Sequence, residues 1–294
     1  MRRVTTISQL HRALDKLPGS IAFVPTMGFL HDGHLALMRH GLTRADHLVV
    51  SVFVNPTQFG PDEDLEAYPR DLDGDADQCR DVGCDIFFSP SRDEIYGDDH
   101  CTRINVDRLD SHLCGVDRPG HFQGVATIVT KLFNIIDPDV AVFGQKDRQQ
   151  LAIIRRLVRD LNFAIDVDGV PTVREDDGLA LSSRNRYLDD DQRRQATSLS
   201  RGLVAAHRAF DEDPQMSCAQ LLEAARAPVE DQPDARIDYA ECVRPHSLTP
   251  CCPDEPVGEA GAIIAIAAHI GPARLIDNLR IDRPLPEGPL RSLP

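Results

Sequence analysis

A nearly continuous apolar run, Leu48–Val54, most constrains what this chain can fold into. A strand that is apolar on both faces is typical of a parallel sheet that helices cover on each side. Shorter apolar runs lie at Ile21–Val24, Ile86–Phe88, Val140–Phe143 and Ala164–Val167, and segments with helical spacing separate them. The first ~170 residues therefore predict an α/β fold built on an open parallel sheet.

Helical spacing of apolar residues marks the layers that would cover this sheet. The strongest stripe lies within Val125–Ile136, and another lies within Leu151–Leu161. A further stripe begins at Leu35. We place the start of that helix near His34, because Gly33 inside a helix would cost about 1 kcal/mol relative to alanine.

The pattern changes after Val173, where an acidic, turn-rich segment begins. We therefore predict two domains, at residues 1–174 and 175–294. The second domain is expected to be a smaller α+β domain with helices over Asp189–Phe210 and Cys218–Ala225. Its predicted strands are Ile237–Val243, Ala260–His269 and Ala273–Leu279.

Composition excludes several classes of protein. The net charge of −15 argues against nucleic-acid partners, because an acidic chain repels a phosphate backbone. No apolar run reaches about 18 residues, so no membrane span is expected, and without a signal peptide the expected location is the cytoplasm. The acidic stretch from Asp62 to Asp99 is interpreted as solvated surface. The eight cysteines contain no C-x-x-C pair, which favours reduced thiols over a zinc site.

Polar loops follow three of the predicted strands. Pro25–Gly28 follows the first strand, Asn55–Gln58 follows the second, and Gly144–Asp147 follows the strand at Val140–Phe143. In open parallel sheets, ligands bind beyond the carboxyl ends of the strands. We therefore expect a ligand site at this edge of the sheet.

The stretch PTMGFLHDGH places His31 and His34 where a strand leads into a helix. Two imidazoles at this spacing on a helix can bind zinc, but Gly33 favours a turn at this point. The free N–H groups of a helix start attract anions, and Gly28 and Gly33 let a ligand approach the backbone. We favour a clamp for a nucleoside triphosphate, with capping or surface histidines as the alternative.

Two further segments carry charges suited to phosphate. Lys146 follows a buried strand, Asp147 can cap the next helix, and Gln150 can bind a substrate hydroxyl or carboxylate. Leu181–Asn185 offers two hydroxyls, and its Arg184 can stabilise the charge of a departing pyrophosphate. The alternatives are a solvated surface lysine and an ordinary helix cap.

Amides and carboxylates complete the candidate chemistry. Asn55 and Gln58 offer amides to a polar organic substrate, and Asp73, Asp75 and Asp77 offer oxygen ligands for Mg²⁺. Taken together, these residues indicate an ATP-using enzyme that activates a small carboxylate or alcohol by attack on a phosphate.

Four segments in chain order resemble the pantoate–β-alanine ligase (pantothenate synthetase) family. They are PTMGFLHDGH, SVFVNPTQFGPDEDLEAYPR, RPGHFQGVATIVTKLFNIIDPDVAVFGQKDRQQLAIIRRLV and LALSSRNRYL. The resemblance covers at least residues 21–188 and includes Ala273–Asn278. It implies a Rossmann-like sheet of the class I synthetase and nucleotidyltransferase type, followed by a small C-terminal lid domain.

The resemblance also implies a reaction in two steps. Pantoate attacks the α-phosphate of Mg²⁺-bound ATP, which gives pantoyl adenylate and pyrophosphate. The amine of β-alanine then displaces AMP to give pantothenate. The implied partners are therefore small molecules (pantoate, β-alanine and ATP), and the implied assembly is a homodimer.

The resemblance implies roles for individual residues. His34 takes the place of the family's assigned proton donor, and His31, Lys146 and Arg184 join it as catalytic residues. Gln58 would bind pantoate and lie near β-alanine, Gln150 would bind pantoate, and Asp75 would be associated with magnesium. The implied ATP-binding residues are Met27, Gly28, Phe29, Leu30, His31, Asp32, Gly33, His34, Gly144, Gln145, Lys146, Asp147, Val173, Leu181, Ser182, Ser183 and Arg184.

Three positions depart from the family pattern. Phe29 stands where a smaller residue or Asn is common, Gln145 where Glu is common, and Leu181 where Met is frequent. Two other interpretations stay open at this point. One is a related adenylyltransferase that leaves AMP on its product, and the other is a non-catalytic nucleotide-binding protein.

Overall fold

The structure is a computed structural model that describes residues 1–61, 63 and 65–293. Asp62, Asp64 and Pro294 lie outside the described residues, so the acidic stretch that begins at Asp62 is described only in part. The chain divides into two compact units. The first unit contains residues 1–107, 118–145 and 153–171, and the second contains residues 108–117, 146–152 and 172–293 of the described chain.

A parallel sheet forms the centre of the first unit, as predicted. Among the described residues it has six strands in the order β1-β4-β3-β2-β5-β6. β2 and β3 lie side by side with Val24 opposite Val50, and both of these residues are fully buried. The strands are β1 (Arg2–Val4), β2 (Ile21–Thr26), β3 (His47–Val52), β4 (Ile86–Phe88), β5 (Val140–Gly144) and β6 (Asp166–Val170).

Several of these strands differ from the prediction in their bounds. β3 runs over His47–Val52 rather than over Leu48–Val54. β1 was not predicted, because three residues at a sheet edge are too few to show a period. β6 begins at Asp166 rather than at Ala164. The helices around this sheet are α1 (Ile7–Leu14), α2 (Asp32–Leu42), α3 (Leu72–Val82), α4 (Arg92–Ile95), α6 (His121–Ile136) and α7 (Arg148–Asp160), the last of which begins in a segment of the second unit.

The second unit contains a separate antiparallel sheet, as expected of the smaller α+β domain. In the described chain this sheet has three strands in the order β7-β8-β9. Its apolar side packs on helices, with Leu203, Leu221 and Ile266 fully buried in one core. Its elements are α5 (Cys114–Asp117), α8 (Asp190–Ala196), α9 (Ser198–Glu212), α10 (Cys218–Glu230), β7 (Ala235–Val243), β8 (Ile263–Ile270) and β9 (Ala273–Arg280).

The single long helix predicted over Asp189–Phe210 is wrong. Two helices, α8 and α9, occupy this stretch, and Thr197 separates them. The backbone N–H and the hydroxyl of Thr197 both donate to the carbonyl of Arg194, at 3.3 and 2.7 Å. A hydroxyl that binds a nearby backbone carbonyl competes with the regular helix bond, which explains the interruption.

The two units interleave along the chain, whereas the predicted domains were continuous segments. Residues 146–152 belong to the second unit because Asn278 donates to the carbonyl of Lys146 at 2.8 Å. Residues 108–117 belong to it because Arg274 forms an ion pair with Asp117 at 3.0 Å. Such contacts join residues far apart in sequence, where no local pattern signals them. No helix among the described residues is long and apolar enough to cross a bilayer.

Candidate active site

The loop after β2 depends on a glycine at position 28. Gly28 has a φ of +87°, a conformation that L side chains rarely adopt. A Cβ added there would lie 2.7 Å from Cγ1 of Val52 and 2.8 Å from Oδ2 of Asp75. Both the backbone conformation and the available space therefore restrict this position to glycine.

The carboxylate of Asp75 holds the next two residues of this loop. Its Oδ2 accepts the N–H of Phe29 at 2.9 Å, and its Oδ1 accepts the N–H of Leu30 at 2.7 Å. Phe29 has a φ of +53°, which is unusual for a residue with a side chain, and two bonds to one buried carboxylate stabilise it there. Burial raises the pKa of Asp75, the two backbone donors act in the opposite direction, and Asp71 adds to the rise.

His31 and His34 cap the N-terminus of α2. Nδ1 of His31 accepts the N–H of Gly33 at 3.2 Å, and Nδ1 of His34 accepts the N–H of His31 at 3.3 Å. The predicted helix start near His34 is therefore wrong, because α2 begins at Asp32 and includes Gly33. A cap contributes about 1 kcal/mol, which offsets the cost of a glycine in the first turn.

The caps also fix the protons of the two rings. Because each Nδ1 accepts a hydrogen bond, each neutral ring carries its proton on Nε2 and can donate from that atom. The ring centroids of His31 and His34 lie 4.1 Å apart. The capping alternative is thus confirmed, and the phosphate clamp stays a prediction.

Gln58 lies beside the same loop in the first unit. Its Nε2 donates to Sδ of Met27 at 3.0 Å, and its Oε1 accepts from Nδ2 of Asn55 at 3.0 Å. The close packing requires Gly124, where a Cβ would lie 2.4 Å from the carbonyl oxygen of Thr57. The structure therefore brings Met27 and Gln58 together, as a shared substrate site would need.

Asn55 has a different task from the one that the sequence suggested. Only 1% of it is exposed, so the amide expected to bind substrate is used inside the protein. Its Nδ2 donates to Gln58 and to the carbonyl of Gly124, while its Oδ1 accepts the hydroxyls of Thr57 and Tyr96. Asn55 therefore positions Gln58.

The three aspartates proposed as magnesium ligands point in different directions on α3. Asp73 pairs with Arg3 and Asp77 pairs with Arg80, both at the surface, whereas Asp75 is 1% exposed. Both oxygens of Asp75 already accept backbone bonds. These contacts indicate that Asp75 shapes the loop, and they give less support to a role as a direct ligand of Mg²⁺. The magnesium assignment of Asp75 stays a prediction.

We expect Asp75→Asn to destabilise the folded protein by about 1–3 kcal/mol, because the amide NH₂ leaves one buried backbone N–H without an acceptor. The apparent KM for ATP should also rise as the loop loosens. The measurement is urea unfolding together with ATP titration.

Asp73→Asn is the matched control on the same helix, and the exposed Asp73 should change stability by less than about 0.5 kcal/mol. A direct Mg²⁺ ligand predicts another result. In that case Asp75→Asn would weaken the Mg²⁺ dependence of activity and leave the free energy of unfolding unchanged.

Gly144 is the last residue of β5, and Gln145 follows it in the first unit. The N–H of Gln145 donates to the carbonyl of Val170 at 2.8 Å, and its Nε2 donates to the carbonyl of Gly169 at 2.8 Å. The side chain of Gln145 thus continues the pairing of β5 with β6. This use of the amide nitrogen accounts for a glutamine at a position where the resemblance expects Glu.

Lys146 belongs to the second unit and is partly buried there. Its Nζ donates to the carbonyl of Leu181 at 2.9 Å. Burial lowers the pKa of Lys146, Arg184 and Arg174 lower it further, and the charges of Asp147 and Asp277 oppose the shift. Lys146 thus lies within electrostatic range of two aspartates, which favour its charge, and of two arginines, which oppose it.

The segment Leu181–Arg184 follows a short backbone pairing in the second unit. The N–H of Leu181 donates to the carbonyl of Val173 at 3.0 Å, which joins two residues that the resemblance assigns to ATP. Oγ of Ser182 accepts the N–H of Arg184 at 3.3 Å and caps the 3₁₀ helix Ser183–Tyr187. The helix-cap alternative is confirmed for Ser182.

Asp147 and Gln150 lie at the start of α7. The carbonyl of Asp147 accepts the N–H of Leu151 at 3.0 Å. Gln150 is partly buried, and its role in substrate binding stays a prediction.

Three supporting residues were given no role by the sequence. Arg174 forms two hydrogen bonds with Asp277, at 2.6 and 2.8 Å, and both side chains are almost fully buried. Asn278 donates to the carbonyl of Lys146 at 2.8 Å and accepts from Arg148 at 3.3 Å. The available signal was two consecutive polar residues, Asp277 and Asn278, inside the predicted strand Ala273–Leu279.

The structure therefore groups the candidate residues in two sets. The first unit brings together the β2–α2 loop, Gln58 and Asp75, and it also carries Gly144 and Gln145. The second unit brings together Lys146, the Leu181–Arg184 segment and Val173. Asp147 and Gln150 also belong to the second unit.

The fold and these loops define an α/β protein whose polar segments follow the carboxyl ends of parallel strands, where such proteins bind their ligands. The family model described as pantoate-beta-alanine ligase matches residues 1–280. The chain belongs to the pantoate–β-alanine ligase family.

Curated relatives and solved structures agree with this family. The pantothenate synthetase of Pelotomaculum thermopropionicum is 52% identical over 259 residues, which cover 88% of this chain and 90% of that protein. The pantothenate synthetase of Azotobacter vinelandii is 49% identical over 290 residues and covers 96% and 99%.

Among solved structures, pantothenate synthetase from Thermus thermophilus has a TM-score of 0.90 at 45% identity, covering 96% of this chain and 99% of that one. The pantoate-beta-alanine ligase from Francisella tularensis, complexed with beta-gamma ATP and beta-alanine, has a TM-score of 0.77 at 31% identity and covers 96% and 98%.

Proposed function

We propose that this protein joins pantoate to β-alanine at the expense of ATP and passes through a pantoyl adenylate intermediate. The observation that carries the proposal is the start of α2, where two histidines cap the N-terminal turn of a helix that follows a strand of the parallel sheet. Such a terminus favours phosphate, and no covalent group from the protein is needed for phosphoryl chemistry. The family supports the choice of substrates.

In the first step, a carboxylate oxygen of pantoate attacks the α-phosphorus of ATP. The bond between this phosphorus and the bridging oxygen of pyrophosphate breaks, and pyrophosphate leaves with the electron pair. Negative charge grows on the phosphate oxygens, so fixed N–H donors lower the barrier. His31 and His34 can supply such donors from Nε2, and we assign Lys146 and Arg184 the role of supplying positive charge.

In the second step, the amine of β-alanine attacks the acyl carbon of pantoyl adenylate. The bond from this carbon to the AMP oxygen breaks, the amine loses a proton, and AMP leaves. Because AMP is already a good leaving group, this step needs less stabilisation at the phosphate than the first step does. Gln58 and Gln150 offer amides to orient pantoate.

Three further properties belong to the same proposal. Mg²⁺ would enter with ATP and would be held by phosphate oxygens, and Asp75, whose two oxygens each accept one backbone bond, keeps its predicted association with the ion. The protein acts as a homodimer. It works in the cytoplasm on small molecules, without a nucleic-acid or membrane partner.

Isotope exchange between ATP and pyrophosphate, measured with and without pantoate, tests this function. We expect exchange only when pantoate is present, and free AMP only when β-alanine is added as well. Exchange at the same rate with and without pantoate would contradict the proposal. AMP retained on the product would identify a related adenylyltransferase, and ATP binding without turnover would identify a non-catalytic nucleotide-binding protein.

A further inference from the structure

Three buried cysteines converge inside the second unit. Cys218 is the first residue of α10, Cys242 lies in β7, and Cys251 follows the short pairing of Pro250 with Val243. Their Sγ atoms all lie within 4.8 Å of one another. The three residues are 1%, 4% and 7% exposed, so three separate elements bring their thiols to one enclosed point.

The backbone around these thiols is tied together by hydrogen bonds. The N–H of Cys251 donates to the carbonyl of Cys242 at 2.8 Å, across the pairing of Val243 with Pro250. The N–H of Cys218 donates to the carbonyl of Glu255 at 3.0 Å. The chain from Pro250 to Glu255 therefore holds all three cysteines before any ligand binds.

We propose that Cys218, Cys242 and Cys251 form a thiolate site for a d¹⁰ metal ion, with Zn²⁺ as the expected occupant. Three sulfurs bound tetrahedrally at about 2.3 Å from zinc would lie about 3.8 Å from one another. The observed separations of at most 4.8 Å approach this value, so rotation of the side chains suffices to close the site. A water molecule would take the fourth position.

Charge balance favours a divalent ion. Arg244 lies within electrostatic range of Cys251 and Cys218, and its Nη1 donates to the carbonyl of Val257 at 2.6 Å. Zn²⁺ with three thiolates carries one negative charge, which the guanidinium of Arg244 neutralises. Cu⁺ in the same site would leave one uncompensated buried charge, which is costly.

Binding would release protons in a defined number. Each thiol must lose its proton to become a ligand, so one zinc ion displaces three protons into solvent. No oxidant is required. A disulfide between Cys242 and Cys251 would need one, and it would leave Cys218 without a role.

This site is independent of the ligation chemistry. None of the three cysteines is among the residues assigned to ATP, pantoate or β-alanine, and the metal test does not use the reaction. The inference can therefore be tested independently of the proposed function.

The test uses the full-length protein, reduced and freed of metal by a chelator. Zinc is titrated against a chromophoric chelator, Cu⁺ is titrated in a parallel series, and Co²⁺ serves as a spectroscopic probe. We expect one zinc per chain, release of three protons, and sulfur-to-cobalt charge-transfer absorption of the intensity that three thiolates give. Stoichiometric binding of Cu⁺ together with no stoichiometric binding of Zn²⁺ would overturn the zinc assignment.

Substitutions locate the ion. Cys242→Val keeps an apolar side chain in the core and should weaken zinc binding by more than about a hundredfold. The matched control is Cys79→Ala with Cys84→Ala, which removes two buried cysteines of the first unit and should leave binding unchanged.

Some outcomes would overturn the site itself. The first is a wild-type protein that binds no stoichiometric zinc. The second is a Cys242→Val variant that binds zinc as tightly as the wild type does. The third is an intact mass that shows a disulfide between Cys242 and Cys251. The wild-type titration decides the question even if the variant does not fold. Zinc should also raise the Tm of the wild type, because a ligand of the folded state stabilises it.

Discussion

His34→Ala is expected to slow pantoate-dependent exchange of pyrophosphate into ATP by about 10²–10³-fold, the usual effect of removing one fixed donor from a site of growing charge. Aminolysis of supplied pantoyl adenylate should slow far less. Charge grows on phosphate oxygens during adenylate formation, whereas the second step breaks a bond to a leaving group that is already stable. Separate assays of the two half-reactions make the comparison.

The structure supplies a control for this variant. Nδ1 of His34 also caps α2 by accepting the N–H of His31, so His34→Ala removes a cap together with a donor. His34→Asn keeps an acceptor oxygen near the position of Nδ1, at the third residue of the capping box, but it places no N–H where Nε2 was. We expect His34→Asn to retain the stability of the wild type and to lose exchange nearly as strongly as His34→Ala.

Equal loss in both half-reactions would refute the assignment to charge stabilisation. It would instead support an obligatory proton transfer by His34 in the overall reaction. Recovery of exchange in His34→Asn would show that the cap alone is what the first step needs.

Lys146→Met should reduce exchange by about 10²–10³-fold and weaken ATP binding, because the change removes a cation but keeps an apolar stem of similar length. The carbonyl of Lys146 would still accept from Asn278, so the backbone should stay in place. Isothermal titration with ATP and the exchange assay measure the two effects.

The pH dependence of ATP binding tests the same residue. Burial lowers the pKa of Lys146, so its ammonium loses its proton at a pH below the ordinary lysine value of about 10.4. ATP prefers the charged form. Its affinity for the wild type should therefore fall as pH rises through the lowered pKa, and binding in that window should take up protons.

Two variants separate Lys146 from other titrating groups. Lys146→Arg keeps its charge throughout this range and should bind ATP with little pH dependence, and Lys146→Met should bind weakly with an equally flat profile. Titrations in buffers of different ionisation enthalpy count the protons. A wild-type profile that runs parallel to both variants would contradict the role of Lys146.

Local sequence patterns predicted the four inner strands of the sheet well because these strands are short and apolar on both faces. Leu48–Val54 anticipated β3, and Ile86–Phe88 matched β4 residue for residue. The patterns failed where side chains bind the backbone. Thr197 interrupts a helix through its hydroxyl, and His31 starts α2 earlier than Gly33 suggested, and neither effect alters hydrophobic periodicity.

The candidate site shows the same limit. The sequence drew attention to the β2–α2 loop, to Lys146 and to Gln58, because polar residues after buried strands mark the ligand edge of a parallel sheet. It did not reveal that Asn55 positions the side chain of Gln58 by a hydrogen bond, or that Asn278 binds the backbone carbonyl of Lys146. These partners are distant in sequence or depend on which way an amide points.

By itself, the sequence determined the fold class and the family, since these follow from strand patterning and from motifs with local spacing, and it singled out the segments that we propose to face phosphate. Only the tertiary structure decided what Asp75 does and where the cysteines meet. A carboxylate on α3 reaches a loop more than forty residues earlier, and three thiols from three elements share one buried point. Burial and convergence arise only when the chain packs, because they are relations between residues that no local pattern connects.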